Sequence, residues 1–271
     1  MPGVHSLTKP IGVFDSGIGS YAAVAALRRA LPRQDILYFA DRASFPYGGK
    51  SRAQLLDIMG RTLRFLCGYD PAAILVASNA PSITVLDELQ AKVAVPVFGV
   101  RPPIRAALRA AGTGNVAVLG VKSLVESPQM QSFAVAEAGD DSHRITLVDA
   151  SPLVSLVESG AFLFDAPRVQ SKVETFFSEM DGRHAGIAAI TLSSTHLPWL
   201  RTSMEKAVSG RALLDPLDGV VVRITPLAVE GDGRTLALAT EDERYEAADF
   251  QRMLDRLGAD LPVHAIASLL S

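Results

Sequence analysis

The sequence is poor in the features that would assign a chemistry at first sight. It has one cysteine, Cys67, so an internal disulfide framework and any cysteine-based zinc site are excluded. Aromatic residues make up only 6%, with a single tryptophan. No apolar stretch approaches the ~20 residues needed to cross a bilayer. There is no basic tract: 26 Lys and Arg are scattered against 29 Asp and Glu, for a net charge of −3. That balance gives no bulk attraction for nucleic acid or an anionic lipid surface. The opening MPGVHSLTKP lacks the apolar centre of a secretory signal, so the expectation is a cytoplasmic protein with neither membrane nor nucleic-acid partner.

What is present is the composition of a folded domain, 48% hydrophobic and 20% charged over 271 residues. Short β-branched apolar runs alternate with segments of helical period. The strand candidates are 11–15, 36–40, 74–77, 95–100, 116–121, 145–149, 187–192, 212–214, 236–240 and 263–266. Runs apolar on both faces suit buried parallel strands. Between them, Leu55, Ile58, Met59, Leu63 and Leu66 form one stripe of a helix over 51–69, with Ser51 at its N-cap. Such alternation predicts an α/β fold with ligands at the carboxyl ends of strands. ILVASN ending at Asn79 and AITLSSTH ending at His196 are both apolar strands closing in small polar residues. This echo predicts two similar doubly wound α/β domains, each offering a strand-end loop to a central cleft.

The first strand runs into Asp15-Ser16-Gly17-Ile18-Gly19-Ser20-Tyr21-Ala22, and the second ends in Asp41. Gly17, Gly19 and Ala22 have the spacing of a dinucleotide-binding turn, and Asp41 stands where a ribose-binding carboxylate would. A nicotinamide-dependent oxidoreductase is therefore one reading. Against it, Asp15 would face the pyrophosphate such a turn holds. A tight strand-to-helix turn explains the glycines equally well.

Taken together, IGVFDSGIGS, ILYFADRASFPYGGKS, ILVASNAPS, VPVFGV, SPLVSLVESG, LSSTHLPWL and the tail from Thr235 resemble the cofactor-independent glutamate racemases of the aspartate/glutamate racemase superfamily. The resemblance spans nearly the whole chain. It implies a first domain of 10–98 plus the returning 211–271, and a second of 99–210. It also implies a small amino acid or carboxylic acid as ligand, no pyridoxal phosphate or other cofactor, no metal, and a homodimer. In the family, a thiolate and a thiol flank Cα and exchange its proton, which suits cysteine because its pKa near 8.5 can be shifted toward neutrality.

Here the two thiol positions are Ser78 and Ser194, and a further family cysteine is Ser151. The surroundings have changed too: Ala80, Pro81, Val121, Lys122, Leu124, Ser193 and Leu197 replace motif residues, several of them hydroxyl-bearing. Asp15, Ser16, Pro46, Tyr47, Gly48, Asn79, Glu158, Thr195 and His196 remain in register. The resemblance places Asp15, His196 and Glu158 beside the proton transfer, and Ser16, Pro46, Tyr47, Gly48, Asn79 and Thr195 around the ligand. Structural readings stand beside these: Asp15 as a turn cap, Glu158 as a helix end, His196 as a helix start bonded to backbone.

A serine hydroxyl is too weak an acid to act as alkoxide at neutral pH without an adjacent base. Two-thiol racemisation is therefore expected to be lost or severely impaired. Cys67, inside a helix, reads as a packed residue. The open alternatives are a silent binding or regulatory paralogue (a pseudoenzyme) and a small-carboxylate isomerase or decarboxylase working through His196, Asp15 or Glu158. A Ser194–His196 pair would need a third orienting group to act as a hydrolytic site.

Overall fold

A computed structural model of the chain describes residues 7–269. Ten strands form: β1 (Ile11–Asp15), β2 (Ile36–Ala40), β3 (Ala73–Val76), β4 (Val97–Gly99), β5 (Asn115–Gly120), β6 (Ile145–Asp149), β7 (Ile187–Leu192), β8 (Ala212–Leu214), β9 (Thr235–Thr240) and β10 (Val263–Ile266). Every apolar run read as a strand becomes one, with ends displaced by no more than two residues. All ladders are parallel. Among the described residues, no helix is long and apolar enough to cross a membrane.

The chain divides into two compact units, 1–100 with 220–271 and 101–219. The first carries a six-stranded sheet in the order β10-β9-β2-β1-β3-β4. Its centre, β1, is buried at every residue. The helix Arg52–Cys67 lays Leu55, Ile58, Met59, Leu63 and Leu66 onto this sheet, where they meet Phe14, Leu37, Phe39, Ile74 and Val76. Each such side chain stabilises the unit by roughly 1.5–3 kcal/mol. Ser51 caps the helix in a reciprocal box with Gln54, so the predicted start is matched by its hydrogen bonds.

The second unit carries four strands in the order β6-β5-β7-β8. Phe177, Val173 and Val169 of the helix Ala166–Arg183 are buried, as are Val116, Val118 and Ile190 of the sheet. β8 pairs with β7, Ala189 to Ala212 and Thr191 to Leu214. Residues 211–219, expected with the first domain, therefore belong to the second, and the return to the first unit falls at 220. Three residues, ALL, are too few to reveal which sheet they join. The return itself is held by Arg28, whose guanidinium donates to the carbonyls of Gln34 and Arg234 and to Thr235 Oγ1.

Each sheet has a point where its connections part to opposite sides. In the first it lies between β1 and β3, in the second between β5 and β7. The two are locally alike. Ala77 N–H donates to Phe14 O at 2.8 Å, and Ser193 N–H to Leu119 O at 2.9 Å. The residue after each donor is Ser78 or Ser194. Strand divergence at such points leaves room for ligands outside the carboxyl ends.

The path of the chain beyond Ser78 is fixed by Ser82, whose Oγ donates to Ser78 O at 2.6 Å and accepts from Val100 N–H at 3.1 Å. Gly99 makes this approach available, because a Cβ there would stand 2.6 Å from Ser82 Oγ and 2.3 Å from Leu86 Cδ2. The Gly99→Ala variant is expected to lose about 1–3 kcal/mol of stability through overpacking. Urea unfolding followed by circular dichroism checks this, and an unchanged midpoint contradicts it.

Candidate active site

The first half-site gathers at the carboxyl ends of β1, β2 and β3. Asp15, Ser16, Ser78 and Asn79 are all buried there. Asp15 closes β1, and its carbonyl accepts from Asp41 N–H at 2.8 Å. Arg42, also buried, donates to Ser16 O at 2.7 Å and stacks against Phe45, Tyr245 and Phe250, with ring centroids 4.8–5.4 Å from its guanidinium carbon. A cation over several ring faces is held electrostatically as well as by packing. Arg42 thus fixes the turn that carries Asp15 and Ser16. Sequence reasoning passed over it, since a lone arginine carries no signal without its rings.

Tyr47 sits in the turn Tyr47–Gly49, and its hydroxyl donates to Asp41 Oδ2 at 3.0 Å. Burial, then the nearby Asp41 and Asp15 carboxylates, push its pKa well above the usual phenol value. Tyr47 is therefore a permanent donor whose proton is committed to Asp41. Asp41 also accepts from Thr240 Oγ1 at 2.9 Å. It is only 3% exposed, which leaves a ribose hydroxyl no approach to it. Gly48 lies in the same turn, packed on the short helix Asn79–Thr84, while Pro46 is exposed at its edge. Asn79 is 5% exposed, and neither atom of its amide finds a hydrogen-bond partner among the described residues.

The second half-site forms where β7 ends. Thr191 Oγ1 and Ser193 Oγ lie 2.7 Å apart. Ser194, Thr195 and His196 are buried in the turn that follows. Ser194 Oγ lies 3.3 Å from His196 Nδ1 and accepts from His196 N–H at 3.4 Å. On the far side of the ring, His196 Nε2 meets Glu158 Oε1 in a short contact. Glu158 ends the helix Ser151–Glu158, which packs on the turn Leu197–Leu200. The helix start is pinned in turn: Ser151 Oγ donates to Asp149 Oδ1 and accepts from Lys122 N–H. The Lys122 side chain points to solvent near Glu126.

Asp215 also lies at this edge and was missed in the sequence. It follows β8 directly and accepts from Leu217 N–H at 2.9 Å at the head of the helix Pro216–Ile224. Desolvation raises its pKa to about 6. An Asp-Pro pair after an apolar run is a helix-start signal, and nothing in the sequence speaks of its burial. Cys67 closes its helix with its thiol against the first unit's core. Partial burial raises its pKa, the opposite of what a reactive thiolate needs. No group of three or more His, Cys, Asp or Glu residues suited to a metal occurs among the described residues.

Parallel α/β units with polar groups collected at their switch points define a class of small-molecule-binding proteins and enzymes. Within it, the pattern of the Asp/Glu/Hydantoin racemase family matches residues 17–224, and the chain belongs to that family. It is 35% identical over 261 residues to the glutamate racemase of Thermus thermophilus, covering 92% of this chain and 94% of that protein. Among solved structures it resembles glutamate racemase from Thermus thermophilus in complex with beta-chloro-D-alanine, with a TM-score of 0.73 and 31% identity. That match covers 95% of this chain and 96% of the other. It also resembles glutamate racemase from Francisella tularensis in complex with D-glutamate, with a TM-score of 0.73 and 25% identity, covering 94% of this chain and 97% of the other.

Because Asp215 binds its proton more tightly folded than unfolded, stability falls as pH rises from the ordinary value of 3.8 to about 6. Above that window the buried charge persists as a penalty. Asp215→Asn keeps the acceptor for Leu217 and removes the charge. It is expected to stabilise the protein by about 1–3 kcal/mol at pH 7.5 and to leave it unchanged near pH 4. Paired unfolding curves at the two pH values check this.

Proposed function

We propose that this chain binds a small amino acid or carboxylic acid at the strand end bearing Ser78 and Asn79, and that it does not racemise glutamate by the two-thiol route. The observation that carries the binding half is Asn79. A buried amide with both atoms unpaired costs roughly 1–3 kcal/mol for each group. A site that is kept at such cost gains it back when a ligand supplies an acceptor for the NH₂ and a donor for the oxygen. An α-amino acid has both, in its carboxylate and its ammonium group. Ser16 and Gly48 fit the same reading as neighbours of the ligand. Pro46 and Tyr47 bound the turn beside it. The D-glutamate held by the Francisella relative makes glutamate the first ligand to try.

The loss of racemisation follows from what occupies the two proton-transfer positions. Neither Ser78 nor Ser194 offers a group that ionises near neutrality. Cys67, half-buried at the end of another helix, supplies no replacement. Reinstating cysteine at both positions is not expected to restore efficient turnover, because Ala80, Val121 and Leu124 have also replaced the family's residues. One other reading has a structural observation behind it: His196, held by Glu158, as base in a carboxylate isomerase or decarboxylase.

Proton NMR in D₂O with D- and L-glutamate, aspartate and other small acids separates these readings. No deuterium is expected at Cα. Exchange that disappears in His196→Ala would transfer the reading to the isomerase. In calorimetric titration, Asn79→Ala is expected to weaken binding about 10- to 100-fold, the loss of one or two hydrogen bonds to charged groups, while leaving stability unchanged or raised. A destabilised variant with undiminished affinity would show that Asn79 serves the fold instead.

A further inference from the structure

We propose that Ser194, His196 and Glu158 form a catalytic relay that makes Ser194 a nucleophile toward short-chain carboxylic esters. The inference goes beyond the amino-acid-binding reading, because it concerns acyl transfer to a hydroxyl and not a proton at Cα.

Two contacts have different origins, and the difference matters. A serine two residues before another often accepts that residue's backbone N–H in a local turn, and this alone explains why Ser194 and His196 meet. It does not explain the carboxylate on the opposite ring nitrogen. Glu158 comes from the end of a separate helix, 38 positions upstream, and reaches His196 Nε2 with only 17% of its own side chain exposed. An ionised carboxylate can only accept. Nε2 must therefore carry a proton, and in the neutral imidazole the lone pair is then on Nδ1.

Nδ1 is the nitrogen that faces Ser194 Oγ, at 3.3 Å. The serine oxygen already accepts from His196 N–H, so its own proton is available for Nδ1. Glu158 thus selects the tautomer in which the base is aimed at the hydroxyl, and it stabilises the imidazolium once the proton has moved. These are the roles of a serine–histidine–carboxylate arrangement, with the ring nitrogens exchanged. Separations of 3.3–3.4 Å are on the long side, as is usual before substrate seats.

The reaction balances without a cofactor. As the Ser194 Oγ–C bond forms at the ester carbonyl, the hydroxyl proton passes to His196 Nδ1. The ester C–O bond breaks, and that proton leaves with the alcohol. Water then attacks the acyl-serine, gives a proton to Nδ1, and Ser194 recovers it as the free acid departs. Ser194 and His196 are only 7% and 8% exposed, which restricts the acyl group to a short chain.

The test is covalent labelling of the full chain with methanesulfonyl fluoride, whose single methyl group matches a short acyl chain, followed by peptide mass spectrometry, alongside hydrolysis of p-nitrophenyl acetate. Here Oγ–S forms, S–F breaks, and the serine proton leaves with fluoride. One label per chain on Ser194 is expected. It should vanish in Ser194→Ala, slow about 100-fold in Glu158→Gln and in His196→Gln, and persist in the exposed control Ser209→Ala. Ester hydrolysis should fall in the same order. If Ser194→Ala fails to fold, as judged by circular dichroism, the label's position in the unmodified chain decides. No label, a label elsewhere, or a Ser194 label that forms equally fast in folded Glu158→Gln and His196→Gln overturns the relay. The D₂O exchange experiment reads a different atom, so either proposal can fail without the other.

Discussion

In a parallel sheet, the first strand laid down is extended first to one side and then to the other, and the rest of this structure depends on that reversal. The connections leaving the two central neighbours must part, so their carboxyl ends are the one place where backbone is not covered by the next crossover. Both units obey this constraint, at β1/β3 and at β5/β7. It puts Asp15 beside the exit of β3, and the Ser193–His196 turn beside the exit of β5. The buried core explains why the strands stack. The reversal explains where chemistry is affordable.

The two half-sites use that opening differently. The first is held from below by a closed set of donors and acceptors: Tyr47 and Thr240 on Asp41, Arg42 on Ser16, Ser82 on Ser78. Asn79 stands apart from this set, its amide unmatched. The second is a linear chain, from the Glu158 carboxylate through an imidazole to a hydroxyl. A hydroxyl at the end of that chain favours different chemistry from a thiol. A thiol beside a base readily becomes a stored anion. A hydroxyl gives up its proton only as it bonds to an electrophile, which is the step proposed for Ser194.

Much of the fold was legible because parallel strands read as short apolar runs, and all ten did, although β6, β8 and β10 are only partly buried. Their ends shifted because the last paired residue depends on a neighbour distant in sequence. The return of the chain was misplaced for the same reason: Ala212–Leu214 carries no mark of its partner β7. Around the candidate site, Asp15, Ser16, Ser78, Asn79, Ser194 and His196 were legible as polar residues at or just after strand ends. Their couplings were not. That Glu158 reaches the far nitrogen of His196, that Tyr47 spends its proton on Asp41, and that Asp215 is desolvated are facts of burial and long-range approach. A linear pattern does not encode them.

The arginine cage has a consequence for how this molecule can be taken apart. Arg42 holds the Asp15–Ser16 turn, yet two of its three rings, Tyr245 and Phe250, belong to the final stretch of the chain. The first hundred residues therefore do not make a transplantable module, even though they contain every polar group of that set except Thr240. Recombination that exchanges that segment between relatives must carry the tail with it. Head and tail are then bound to change together, as the two ends of a single cation's surroundings.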